Sequence, residues 1–498
     1  MRLIALLILI PVAGFSQKNW QEVATKNAIS SFREFYTLLS IPNDAHNHDD
    51  IEKNIQWCEA TFAKRGFTTT RLNTPTVPLL LAERKVKNPK KTVLIYLQID
   101  GQPVDAAQWQ QDSPWTPTLK ETSADGTWRA IEYDKVYTNP NPDWRIFARS
   151  TSDAKGPAMA FIAALDAAAE LKITPDYNMK VIMDFEEELG SPQLPAAVTK
   201  YKQELSADML IIYDGPRHIS NQPTLTFGAR GICDITLTVF GPRVPVHSGN
   251  YGNYTPNPAM RLAQLLGSMK DDNGRVILPG FYDGIKLTDQ EKAILKQVPD
   301  NEMEIRKFLG IAEPDEVGEN FQESLQYPSL NIRGLDALFI GKESRTLIPA
   351  TATAEIDIRL VPGSDPDKLM GLVRQHVEKQ GYLILDRPPT EEERMKHPRI
   401  ALFHGKTSYG AFQTPFDSEC GKWLGRAMVK TFGKEPIRIR TAGGSIPISP
   451  FVVTLGIPAV AVPTVNPDNN QHAENENIRV GNYIDAVKTF TAILAEKM

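Results

Sequence analysis

The chain has 498 residues, too many for one compact core, so at least two domains are expected. Its 55 basic and 60 acidic side chains leave a formal net charge of -5, with 41% apolar and 23% charged residues. This ordinary globular balance, with no basic block and no interleaving of basic and aromatic residues, argues against nucleic acid or an anionic membrane surface as the main partner.

In chain order, Met1-Arg2 precedes an apolar run from Leu3 to Phe15 and then Ser16-Gln17. That pattern predicts a secretory signal peptide over residues 1–16, cleaved after Ser16, and hence an exported protein, periplasmic or secreted. The run is too short for a lasting bilayer anchor. Phe32 to Leu39 and Ile51 to Arg65 carry apolar residues at helical spacing, separated by Pro42-Asn43-Asp44. Four short apolar runs then read as buried parallel strands: Val93 to Leu97, Val181 to Met183, Met209 to Tyr213 and Ala459 to Val462. Between the first two lies an Ala-rich helix from Gly156 to Leu171. Strands alternating with helices predict an α/β fold with a doubly wound, mostly parallel sheet.

The middle of the chain differs. Ile232 to Phe240 and Ala352 to Leu360 alternate apolar and polar residues, as half-buried antiparallel strands do. Asn257-Pro258 and Asp365-Pro366 each supply a cap and a first-turn proline for a helix. This block predicts a smaller α+β lid or dimerisation domain at 229–410, inserted into a catalytic domain formed by 17–228 and 411–498. Residues 270–325 are polar, acidic and helical in pattern, with no role evident. Cys58, Cys233 and Cys420 are too few and too scattered for a disulfide framework or a thiolate zinc site. They are expected to be buried as small apolar side chains.

The chemistry is suggested by where acids fall. The first three strand runs lead into Gln98-Ile99-Asp100, Asp184-Phe185-Glu186-Glu187-Glu188 and Asp214-Gly215, and the fourth leads into a loop bearing His472. Ligands bind beyond the carboxyl ends of such strands. Asp153, just before the Ala-rich helix, can point into the same crevice. Carboxylates and a histidine gathered there repel unless cations sit among them, and oxygen and imidazole donors suit zinc, manganese or a similar ion. Two ions bridged by one carboxylate lie roughly 3.5–4 Å apart and share a water as nucleophile. Of the pair Glu187-Glu188, one can bind metal while the other serves as a general base.

At these residues the sequence resembles the dinuclear zinc exopeptidase family of carnosinases, aminoacylases, succinyl-diaminopimelate desuccinylase and glutamate carboxypeptidases. The matching segments are Tyr96 to Asp100, Ser152 to Pro157, Glu187 to Ser191, Asp214-Gly215 and Gln471 to Glu476. Arg230-Gly231, His247-Ser248-Gly249, Arg345 to Ala350, Arg359 to Pro362 and Gly443 to Pro447 resemble the carnosinase-like dipeptidase branch. The resemblance implies two divalent metal ions per chain, zinc with manganese or cobalt as alternatives. It implies Asp153 as the bridging ligand, Glu188 and His472 at one metal, and Asp214 at the other. It makes Glu187 the general base that activates the bridging, metal-bound water. His247 reaches the partner's active site in family dimers, so a homodimer is implied. Arg359, with Gly444 and Ser445, binds the substrate's terminal carboxylate. The implied reaction is metal-dependent hydrolysis of an amide bond in a small peptide.

Two positions depart from the pattern. Gln98 stands where the family has His, and the family's Asp, here Asp100, orients that ligand. Gln98 can coordinate through its amide oxygen while its NH2 donates to Asp100, a weaker arrangement for zinc, so that site is expected to bind less tightly. Ala442 replaces a Glu that contacts the substrate amine in carnosinase-like members. N-acyl amino acid deacylase is therefore the alternative activity. From another class, a catalytically weak carboxylate-binding homologue is the second alternative.

Overall fold

The computed structural model describes residues 17–337, 339–444 and 447–498. The predicted signal peptide at 1–16 lies outside the described residues, as does Ser445. No described helix is long and apolar enough to cross a membrane.

The larger sheet has eight strands in the order Thr68–Leu72, Leu79–Arg84, Asn178–Asp184, Thr92–Gln98, Met209–Ile212, Ala459–Ala461, Thr224–Thr226, Ile437–Ile439. Its four central strands are those the apolar runs foretold, and they pair parallel to one another. Each is buried on both faces, so each reads as unbroken apolar sequence. The first two edge strands are antiparallel. The helix Lys155–Glu170 packs against one face with the helices Gln17–Leu39 and Val480–Ala495. Its alanines carry almost no side chain, so these helices approach closely and it is buried nearly all round.

The second sheet, built from Gly231–Tyr409, has the order Ser329–Asp336, Thr351–Leu360, Gly231–Phe240, Ile400–Tyr409, Leu383–Leu385. Cys233, Ile235, Leu237 and Val239 face one core with Ala352, Ala354, Ile356, Ile358 and Leu360, while alternate residues lie more open. The helices Pro258–Gly267 and Pro366–Lys379 cover that face. Asn257 and Asp365 accept backbone N–H groups at their starts, as the sequence predicts. All three cysteines are buried and free.

A third sheet was not foreseen. It pairs Asn477–Arg479 with Arg145–Phe147, then Thr118–Thr122 and Trp128–Ala130. The contact of Phe147 with Asn477 joins two segments far apart in sequence. It sets the loop carrying His472 beside the loop carrying Asp153.

Candidate metal centre and cleft

Three loops at the carboxyl edge of the parallel strands converge. The Asp153 loop is gripped by Glu476, a fully buried carboxylate. Glu476 Oε1 accepts from Ser152 N at 2.8 Å, Ser152 Oγ at 2.8 Å and Asp153 N at 3.0 Å. Its Oε2 accepts from Ser150 N at 2.8 Å and from buried Arg149 at 3.0 Å. The Ala-rich helix then starts beneath the loop. A Cβ on Gly156 would lie 2.1 Å from Thr151 O, so only glycine permits this approach.

The acidic turn is fixed by Asp184, which accepts from Tyr96 Oη at 3.1 Å, Ser191 Oγ at 2.6 Å and Glu186 N at 3.0 Å. Glu187–Leu189 forms a short 3-10 turn closed by Gly190 at φ 80, a left-handed conformation that suits glycine. Asp100 Oδ2 accepts the Glu188 N–H at 3.0 Å. Asp100 thus holds the backbone of the Glu187-Glu188 turn in place.

These constraints bring Asp153, Glu188 and His472 together, with one ligand atom from each lying within 4.8 Å of the others. His472 Nε2 is 2.9 Å from Asp153 Oδ2 and 3.4 Å from Glu188 Oε2. His472 itself sits at φ 63, a costly conformation for a non-glycine residue, held by the sheet on its C-terminal side. Gln98, Glu187 and Asp214 line the same cleft, of about 1270 Å³.

Electrostatics agree with a cation site. Burial, then the charges of Asp153, Asp214, Glu188 and Asp100, push the Glu187 carboxyl well above its usual range. Burial and Asp153 push Asp214 up to about 7. Burial also raises Asp153 to about 6, opposed by His472, and raises Glu188. The hydrogen bond that the His472 imidazole donates to Asp153 in turn raises the imidazole to about 9. A cluster of buried acids that resists ionisation is relieved by divalent charge.

Gln98 supplies an independent sign. Its side chain is buried, yet neither amide atom has a hydrogen-bond partner among the described residues. This corrects the expectation that its NH2 donates to Asp100; Asp100 faces the Glu188 amide instead, and its Oδ1 also lacks a partner. A buried amide left unsatisfied costs about 1–3 kcal/mol, and a cation on its oxygen offsets part of that. The donor set therefore fits a metal ion. Replacing Gln98 by histidine is expected to tighten metal binding without abolishing activity, since imidazole is the better donor for zinc. Competition with a chromophoric chelator measures this, and a weaker affinity in Gln98→His would remove Gln98 from the ligand set.

Arg359 and Gly444 also line the cleft, and Arg359 Nε lies 3.2 Å from Asp357 Oδ2. Asp100 lies buried behind the cleft wall. His247 is not brought to the site: it stands exposed on the second sheet's side, its Nδ1 accepting from Gly249 N at 3.0 Å. Sequence reasoning missed the roles of Glu476, Asp184 and Gln102, whose Nε2 donates to Glu188 Oε2 at 2.7 Å. For Glu476 a signal existed, since it lies four residues after His472.

Residues 227–383 match the model of the peptidase dimerisation domain of the M20 peptidases. A metallo-carboxypeptidase of that family from Sulfolobus solfataricus superposes with a TM-score of 0.76 at 28% identity, covering 93% of this chain and 98% of that one. In sequence and in fold the chain is thus similar to the M20 metallopeptidases, and residues 227–383 carry the likeness to their dimerisation domain. A mouse Beta-Ala-His dipeptidase is 29% identical over 433 residues, 85% of this chain and 80% of its own length. A Cys-Gly metallodipeptidase of Schizosaccharomyces pombe is 26% identical over 430 residues, 85% of this chain and 83% of its own. The chain is accordingly a hydrolase, and the M20 peptidases it resembles are dinuclear metal enzymes. The relatives overturn the expectation of an exported, periplasmic or secreted protein: the yeast Cys-Gly enzymes among them are cytosolic.

Proposed function

We infer that this protein hydrolyses the amide bond of dipeptides with a free C-terminal carboxylate. The observation that carries this is the convergence of Asp153, Glu188 and His472 in a cleft that also holds Glu187 and Arg359. The dipeptidase relatives support it. Asp153, Glu188, His472, Asp214 and Gln98 would hold two divalent cations, zinc or else manganese or cobalt. When bound, these supply Lewis-acid polarisation of the scissile carbonyl and a water nucleophile near neutral pH. Asp153 would be the carboxylate that serves both ions.

The remaining steps belong to the chain's own groups. Glu187 takes the proton of the attacking water on its carboxylate and passes it to the leaving amine nitrogen. Asp100 keeps the Glu187-Glu188 turn in place through the Glu188 amide. Arg359 offers its guanidinium to the substrate carboxylate, with the backbone N–H groups of Gly443 and Gly444, which line the same cleft. His247, exposed on the dimerisation-domain side, is assigned to the partner's cleft in a homodimer, where it stabilises the oxyanion. In this assignment 17–228 and 411–498 form the catalytic domain and 229–410 the inserted one.

One observation favours N-acyl amino acids as a second substrate class. Ala442 lines the cleft and brings no carboxylate to a free amine there. The presence of Glu187 beside the metal-binding triad favours an enzyme over a catalytically weak binding homologue. The test is a panel of dipeptides and N-acyl amino acids assayed with zinc, manganese or cobalt, together with elemental analysis. Near two ions per chain and turnover of dipeptides are expected, and turnover should vanish on chelation. Protein that takes up no metal, or cleaves only N-acyl substrates, overturns the dipeptidase assignment.

A further inference from the structure

The segment 270–325 has no role in the metal chemistry, yet it reaches the cleft. Its helix Glu302–Leu309 buries none of its residues. Phe308 is 81% exposed, and it lines the same cleft as Asp153, Glu187 and Arg359. Ile219, 53% exposed, lines that cleft too, on the loop that follows Asp214. Met303, Leu309 and Ile311 are also exposed on this segment but do not line the cleft. A bare phenyl ring, together with Ile219 and a wall that also carries Pro216, Pro447, Pro463 and Ala461, gives the cleft an apolar side that calls for an apolar cover.

The helix is held by its root. Asp300, just before the cap residue Asn301, places Oδ1 2.8 Å from Nε2 of buried His218. Its Oδ2 accepts from Gln322 Nε2 at 2.8 Å. His218 Nδ1 lies 2.8 Å from Ser220 Oγ, so both ring nitrogens are engaged and the imidazole is fixed. His218 is the neighbour of Ile219, so one contact orients both apolar residues. From the first helical residue, Glu302, to Phe308, six steps at about 1.5 Å each carry the chain roughly 9 Å along the helix axis. That span takes it from the anchor to the cleft.

The geometry points to an apolar side-chain subsite formed by Phe308 and Ile219, with His218 and Asp300 as its positioning pair. This rests on the dipeptidase assignment and adds a substrate class to it: dipeptides carrying one bulky apolar side chain, such as Leu or Phe. The polar cleft fixes the peptide's ends and reacting carbonyl. The side chain then lies against the ring, and water leaves both surfaces.

The test measures binding, not turnover. Zinc-loaded protein carrying Glu187→Gln is titrated calorimetrically with Leu-Gly, Gly-Leu, Phe-Gly, Gly-Phe and Gly-Gly. At one of the two positions the apolar residue is expected to improve affinity roughly tenfold over Gly-Gly. Adding Phe308→Ala or Ile219→Ala should return that affinity to the Gly-Gly level and leave Gly-Gly binding unchanged. Asp300→Ala should weaken the preference while zinc content stays the same. No preference, a preference that survives both alanine variants, or no binding of any dipeptide overturns the subsite. A change of oligomeric state in Phe308→Ala without loss of preference does so too, and shows that a second copy covers the ring. If discrimination is present but native protein cleaves none of these peptides, the subsite stands and the dipeptidase assignment falls.

Discussion

Replacing Glu187 by glutamine is expected to lower turnover by roughly 10²–10⁴-fold while the metal content stays unchanged. Glutamine keeps the shape of the side chain and its capacity to accept a hydrogen bond. It cannot take up a proton near neutral pH, and that is the one property the mechanism asks of this position. Glu187 is not among the three residues whose ligand atoms cluster, although it lines the same cleft. Its carboxyl is raised by burial first and by the surrounding carboxylates second. Glu188→Gln is the control, because it removes a clustered ligand and should lower metal content and turnover together. Steady-state kinetics with elemental analysis on both variants decides the matter. Undiminished kcat in Glu187→Gln would mean another group is the base, and loss of metal from that variant would make Glu187 a ligand.

The four central strands were legible because a parallel strand buried on both faces leaves a continuous apolar run, and the acids that end those runs mark the functional edge. The second sheet was legible for the opposite reason: one covered face leaves strict alternation in Gly231–Phe240 and Thr351–Leu360. The small sheet was not. Arg145–Phe147 and Asn477–Arg479 have three residues each, too few for any period, and their pairing depends on residues far apart in the chain. The same distance hid the partners of Glu476. Its carboxylate is visible in the sequence, but nothing near it names Ser150, Ser152 and Asp153 as donors. Gln98 shows a subtler limit. Its departure from the family pattern was evident, but the bond assigned to its NH2 was not made, because Asp100 is turned toward the Glu188 amide. Phe308 left no sign at all, since an exposed aromatic on a polar helix acquires meaning only from the cleft it enters.

The loop that carries Asp153 has no regular structure to hold it, so its geometry depends on Glu476. Glu476→Gln is expected to destabilise the protein by about 3–5 kcal/mol, although it changes a single atom. Both oxygens of Glu476 face donors: three on Oε1, two on Oε2. Whichever oxygen the amide nitrogen replaces, an NH2 then points at N–H groups. The Arg149 guanidinium also loses its buried counter-charge. Ser152→Ala, which deletes only one of these five bonds, should cost about 1 kcal/mol. Urea denaturation of the two variants gives the comparison, and zinc affinity by competitive chelation gives the functional consequence. Affinity should fall in Glu476→Gln, because Asp153 is then no longer fixed opposite His472 and Glu188. If the urea midpoint of Glu476→Gln moves no further than that of Ser152→Ala, the loop is held by something other than this carboxylate, and the metal ligands do not depend on it.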